Sequence, residues 1–147
     1  MNLIEAEILA RELIEKHCPN VRFKWANGKN KFGACYAKQK IISLSTTLTM
    51  LNNPEVVKNV ILHEIAHVIA PITAHHNWEW RKIAVSIGCD GKRLYDDSVI
   101  TPKPKWLGTC PKCKRTIKRF SRRKISCGKC SVIFNKDLLF IWERLTD

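Results

Sequence analysis

No stretch of this chain is both long and apolar enough to span a bilayer. The most apolar run, residues 56–72, is broken by Lys58, His63, Glu64 and His67 and falls short of the roughly 20 residues that a spanning helix needs. The N-terminal residues also lack the pattern of an export signal, because Glu5, Glu7 and Glu12 are scattered among their apolar residues. Neither a membrane nor a secreted setting is therefore expected. The expected compartment is cytoplasmic (nucleoid-associated) or nuclear, where the seven cysteines serve as thiols or metal ligands rather than disulfides. Internal repeats and low-complexity tracts are likewise missing.

Acidic residues are absent from residues 98–136, which carry twelve lysines and arginines. The whole chain of 147 residues has a formal net charge of +13, and nearly all of the excess comes from this one block. Residues 1–97 are close to balanced, with thirteen basic and ten acidic side chains. Such an excess favours a polyanionic partner, nucleic acid ahead of an acidic membrane. Hydrophobic residues make up 45% of the chain, enough for a core, and the length fits one domain with a small appendage.

Capping signals and periodicity sketch the elements. Asn2 can cap a helix over residues 3–17, with Ile4, Ile8, Leu9 and Leu13 at helical spacing. Residues 21–25 alternate as a half-buried strand does. Residues 34–38 and 41–45 predict a hairpin turning at Lys38-Gln39-Lys40. Asn53, Pro54 and Glu55 fit the N-cap and first turn of a helix that ends before Pro71. Asn77 can cap another over residues 78–87, with Gly88 past its end. Residues 89–106 predict an irregular connection, and the apolar tail from Leu138 to Trp142 is expected to dock on the body.

Within the central helix stand His63-Glu64-Ile65-Ala66-His67. Histidines four apart lie on one helical face, separated by about 6 Å along the axis, so both imidazoles can reach one ion. Glu64 need not ligate. It can take a proton from a water at the metal and return it to a leaving amine. The plain structural alternative is a hydrogen-bonded core histidine pair, but polar groups on so apolar a helix are costly to bury without partners. A catalytic zinc commonly takes three protein ligands. What is missing narrows the class: a metzincin needs glycine and histidine where this chain has Ala70 and Thr73. Glu79 or Glu143 could supply the third ligand, and His75 or His76, in a loop leading into a helix, are better placed. Arg81 and Tyr95 are candidates to stabilise an oxyanion.

The phrase His76-Asn77-Trp78-Glu79-Trp80 resembles one found in the SprT-like metalloproteases, a family that includes the Spartan proteases. There the third histidine is followed by Gly, two variable residues, and Phe or Trp; Asn77 stands here for the glycine and Trp80 for the aromatic. Phe23-Lys24-Trp25, Gly33-Ala34-Cys35 and the run from Ile41 to Ser45 resemble the family's strands before its catalytic helix. The resemblance covers roughly residues 3–130. It implies that His76 completes the catalytic zinc site with His63 and His67, that Glu64 is the catalytic base, and that the substrates are proteins bound or crosslinked to DNA.

Cys110-Pro111-Lys112-Cys113 and Cys127-Gly128-Lys129-Cys130 form two knuckles with thirteen residues between them. Four such thiolates close a structural zinc site with no open position, and Gly128 suits a tight knuckle turn. Cys18, Cys35 and Cys89 have no such partners and are expected to be ordinary thiols. Lys114, Arg115, Lys118, Arg119, Arg122, Arg123 and Lys124 surround the knuckles, with Trp106, Phe120 and Phe134 interleaved. Cations neutralise phosphates and aromatics stack on unpaired bases, so these seven basic residues are the expected nucleic-acid contacts.

The expectation is an α+β, zincin-like domain over residues 1–97, then a basic zinc ribbon within residues 98–147 that ends near residue 136. It would hold one catalytic and one structural Zn2+ and act as a monomeric endopeptidase on DNA, including single-stranded regions. The rival is a non-proteolytic nucleic-acid-binding or transcription-associated adaptor whose zinc helix is structural.

Overall fold

The computed structural model describes residues 1–94 and 98–146. The chain divides into two compact units, Met1–Pro102 and Lys103–Asp147. The first runs past the Asp97 boundary expected from the sequence because Asn52 holds Ile100. The Asn52 side-chain amide donates to the Ile100 carbonyl at 2.8 Å, and the Ile100 N–H donates back at 2.7 Å. Val99 packs on the same core.

The first unit mixes helix and sheet: α1 (Leu3–His17), β1 (Arg22–Ala26), β2 (Gly33–Tyr36), β3 (Ile41–Ser45), α2 (Thr46–Leu51), α3 (Pro54–Ile69) and α4 (Trp78–Ser86). The sheet order is β1-β3-β2. β3 pairs parallel with β1, from Arg22 opposite Ile41 to Ala26 opposite Ser45. On its other side it pairs antiparallel with β2, from Gly33 opposite Leu44 to Tyr36 opposite Ile41. As the central strand it is buried on both faces, with Ile42 and Leu44 wholly enclosed. β2 is an edge strand and stops earlier than its sequence pattern suggests. Ala37–Gln39 tighten into a 3₁₀ turn, and Lys40 takes the left-handed conformation, φ 52°.

Two helices depart from the sequence reading. In α1 the buried positions are Ala6, Ala10 and Ile14, whereas Ile4 and Ile8 of the expected apolar stripe are 72% and 53% exposed. Small alanines let α1 approach α3 closely, and packing overrides bulk hydrophobicity. The short helix α2 was not legible, since Thr46, Thr47 and Thr49 are weak helix formers. It forms because the Ser45 side chain accepts from the Leu48 N–H at 3.2 Å and Leu48 and Thr49 are buried.

α3 starts as its sequence signals. Asn53 accepts from the Val56 N–H at 3.0 Å, and Pro54 needs no partner at the first turn. One face packs Val57, Val60, Ile61 and Ile65 into the main core beside Ile42, Leu44 and Phe32. Another stripe, Leu62, Ala66 and Ala70, meets Trp80 and Ala84 of α4. Asn77 caps α4 by accepting from the Glu79 and Trp80 N–H groups, and Gly88 follows at φ 97°.

The second unit is an antiparallel sheet in the order β5-β4-β6: β4 (Trp106–Thr109), β5 (Thr116–Arg119) and β6 (Ile141–Arg144). The apolar tail is thus not an appendage. It closes the sheet as β6, and Leu138 and Phe140 complete a small core around Cys110 and Cys127. Gly108 permits this pairing: a Cβ there would lie 2.8 Å from the Trp142 ring opposite it. Among the described residues no helix is long and apolar enough to cross a membrane.

Candidate metal centre

α3 carries His63 and His67 on one face, and the loop into α4 brings His76 to them. The three Nε2 atoms form a triangle with sides of 3.3, 3.0 and 3.1 Å. A tetrahedral ion with metal–nitrogen bonds of about 2.0–2.1 Å holds its nitrogens about 3.3 Å apart, so this donor set fits zinc. His75 is exposed, sits at φ 48° and does not join the group. Trp80, fully buried, underlies all three rings, with centroids 4.7, 5.2 and 4.7 Å from those of His63, His67 and His76. Burial pushes His63 and His67 down to about 4, and His76 is also lowered, by burial and then by the Arg93 charge. All three imidazoles are therefore neutral at pH 7, the form in which they ligate metal. The Lys92 backbone hydrogen-bonds His63, the kind of outer contact that orients a ligating ring.

Glu64 follows His63 on α3 and is only 5% exposed. Burial raises its carboxyl to about 7, against smaller lowering effects from the Lys31 charge and the Cys35 backbone. Gly33, on the edge strand, makes room for it: a Cβ there would stand 2.8 Å from both Cγ and Oε1 of Glu64. A glycine inside a strand signals close approach of another group, but its neighbour could not be named from sequence.

Glu64 and the three histidines open into one cleft of about 420 Å³, whose walls include Lys31, Gly33, Cys35, Pro71, Ile72 and Arg93. None of these wall residues stood out as a site residue in the sequence. Cys35, expected to be an ordinary thiol, lines the cleft, and burial raises it to about 11. Arg81 does not line the cleft; its side chain lies beside Gly91. Glu79 lines a neighbouring depression. Glu143 lies on β6 of the second unit, opposite Leu107. Tyr95 lies outside the described residues.

In the second unit Cys110, Cys113, Cys127 and Cys130 converge, their sulfur atoms all within 4.8 Å of one another. The Cys110–Cys130 and Cys113–Cys127 separations are 3.9 and 3.7 Å. Tetrahedral zinc with bonds of about 2.3 Å to sulfur spaces its ligands about 3.8 Å apart, so this set fits a closed site. The knuckle turns differ from expectation. Gly128 has an ordinary φ and open space around it, and the left-handed residue is Lys114 at φ 60°.

Lys114, Arg115, Lys118, Arg119, Arg122, Arg123 and Lys124 are all exposed. Arg122 lies over the Trp106 ring at 4.8 Å. With Arg123, Lys124, Phe140 and Trp142 it lines a shallow depression of about 390 Å³, where the Trp142 indole donates to the Arg123 carbonyl at 3.0 Å. Phe120 is half-buried, and Phe134 is exposed.

No curated protein matches the chain. The model of the SprT-like family matches residues 5–99, a span holding the three histidines, Glu64, Gly33 and Trp80, and the chain belongs to that family.

Proposed function

We propose that this protein is a zinc-dependent endopeptidase of zincin-like fold that cuts proteins bound or crosslinked to DNA, with the ribbon holding the nucleic acid. One observation carries the peptidase reading: a buried Glu64 carboxylate shares a single open cleft with three convergent, neutral imidazoles. His63, His67 and His76 would hold the zinc. When bound, the ion supplies Lewis acidity that polarises the scissile carbonyl and makes hydroxide available near pH 7. Glu64 takes the proton of the attacking water and delivers it to the leaving amine. Its place beside the three histidines in the same cleft suits both roles. The Cys35 backbone hydrogen-bonds Glu64, and Gly33 leaves the space the carboxyl occupies. β2 is an edge strand at this cleft, so an extended peptide can add to its outer edge and cross the histidines.

The nucleic-acid half rests on the acid-free, basic block around the cysteines and on exposed cations beside aromatic rings. Phosphates would meet the cations and unpaired bases the rings. The test uses the full chain and a DNA-binding substrate protein, with single-stranded DNA, duplex DNA or none. Wild type should cleave, and DNA should stimulate it. Glu64→Gln should keep both zincs and lose cleavage. A Glu64→Gln protein as active as wild type rejects the mechanism, and cleavage indifferent to DNA rejects the nucleic-acid half.

A further inference from the structure

Beside the catalytic cleft lies a second depression, of about 380 Å³, lined by Pro71, Trp78, Glu79, Lys82, Ile83 and Ser86. Pro71 lines both hollows, and the adjoining Ile72 lines the cleft. Trp78 and Ile72 are 72% and 67% exposed. Pro71, Trp78 and Ile83 give the hollow its apolar walls, and Glu79 and Lys82 give it a charged rim. The hollow is rigidly tied to the metal centre. Trp78 is two residues from His76, and Asn77 fixes the start of α4 through two hydrogen bonds. Trp80, on the other side of the same turn, is locked beneath the histidines. The backbone that carries Trp78 is therefore held at a fixed place two residues from the His76 ligand, and its indole stands exposed at the hollow.

We infer that this hollow is a substrate subsite, with Trp78 its specificity-determining residue, and that it takes a bulky apolar side chain of the peptide crossing the cleft. The inference rests on the peptidase reading and commits to the substrate chain as occupant, because Pro71 is a wall of both the hollow and the cleft and the adjoining Ile72 lines the cleft. Aromatic and aliphatic side chains gain most from contact with an indole face and a proline ring, so the subsite selects Phe, Leu or Met over Ser, Asn or Gly.

The experiment uses the zinc-loaded full chain on a fluorogenic peptide series. Each peptide carries Leu or Phe on one side of the scissile bond, or Ser in its place. Wild type should favour the apolar peptides by about tenfold in kcat/KM. Trp78→Ser should raise KM for those peptides about tenfold, leave kcat within about twofold, and level the preference, as loss of uniform binding does. A second measurement stands apart from turnover: a labelled Leu peptide should bind Glu64→Gln about tenfold more tightly than Glu64→Gln/Trp78→Ser. Light scattering distinguishes the competing occupant. If wild type self-associates, Trp78→Ser is monomeric and peptide preference is unchanged, the hollow is a contact between copies and the inference fails. Wild-type cleavage with no effect of Trp78→Ser also overturns it. Absence of wild-type cleavage with Trp78-dependent peptide binding overturns the peptidase reading and leaves the subsite standing as a peptide-binding surface.

Discussion

Replacing Glu64 by Gln should stabilise the zinc-free protein, by an amount that grows as pH rises from about 4.5 and is complete above about 7. The carboxyl titrates at about 7 in the folded chain because burial disfavours its charged form, against 4.5 as its ordinary value. Below pH 4.5 it is protonated whether the chain is folded or not, and the buried neutral acid costs little. Between pH 4.5 and 7 the unfolded chain releases the proton while the folded chain retains it. Stability therefore falls as pH rises through that window, and the full loss is present above pH 7. The difference between 4.5 and about 7 corresponds to about 3 kcal/mol. Gln is nearly isosteric, carries no charge, and can still accept from the Cys35 backbone. The variant should match wild type near pH 4, apart from a constant offset, and exceed it by about 3 kcal/mol at pH 8. His63 and His67, lowered to about 4, tilt both proteins the opposite way, since each costs stability as pH falls from 6.5 to 4. That contribution is common to both and cancels in the difference.

Urea unfolding of the zinc-stripped chains, followed by circular dichroism at 222 nm, measures this gap. The described α-helices, α1 to α4, lie in the first unit, so the signal reports the unit that holds Glu64. A gap that stays constant from pH 4.5 to 8 would refute the reasoning, because it would mean that ionising the side chain costs the fold nothing.

Trp80→Ala should lose about 3–5 kcal/mol through the cavity it leaves. It should also weaken zinc binding at the histidines about 10- to 100-fold, by freeing the three rings it supports; equilibrium unfolding and competition with a chelating dye read the two effects. Gly33→Ala should cost about 1–3 kcal/mol, since its Cβ would press on Glu64 and on Val60 at 2.9 Å, and should lower kcat while zinc content stays at the wild-type value. Nucleic-acid affinity should fall linearly on a log–log plot against salt. Changing Arg122, Arg123 and Lys124 to Gln should flatten the slope by about 0.7–0.9 for each phosphate no longer neutralised, a titration by fluorescence anisotropy being the readout.

What could be read from the sequence was whatever depends on neighbours along the chain. Asn2, Asn53 and Asn77 cap helices where capping rules place them. His63 and His67 share a face because four residues make about one turn. The cysteine pairs show themselves by local spacing. What was hidden depends on which surfaces meet. α1 buries Ala6 and Ala10 rather than Ile4 and Ile8 because α3 comes close to it, a fact no periodicity of α1 contains. β1 lies parallel to β3 because the chain crosses over, and only that pairing makes β2 an edge. Lys31, Pro71 and Arg93 reach the cleft from three loops distant in sequence, and the need for glycine at position 33 comes from Glu64 on α3, which would meet a Cβ there.

The two donor sets occupy frameworks of very different strength, and removing metal should separate them. The histidine triangle is mounted on a unit with two apolar clusters, in which Val57, Val60, Ile61, Ile65 and Trp80 are fully buried. Its imidazoles are kept neutral by burial, so the site exists before metal arrives and metal contributes little to folding. In the second unit, Cys110 and Cys127 are themselves half of the buried core, shared with Leu138 and Phe140. Four uncoordinated thiols cannot replace the bonds that hold the two knuckles together, and units this small depend on staples. A strong chelator should therefore leave the helical signal at 222 nm nearly intact. The fluorescence of Trp142, which packs beside Gly108, should shift to that of a solvated indole, against the unchanged emission of buried Trp80, in a chain where Trp25, Trp78 and Trp106 are replaced by Phe. Cys113→Ser should reproduce the ribbon change without chelator and leave the histidine site able to bind zinc. Joint loss of both signals on chelation would show that the first unit also depends on its metal, and would contradict the account of a site preformed by burial.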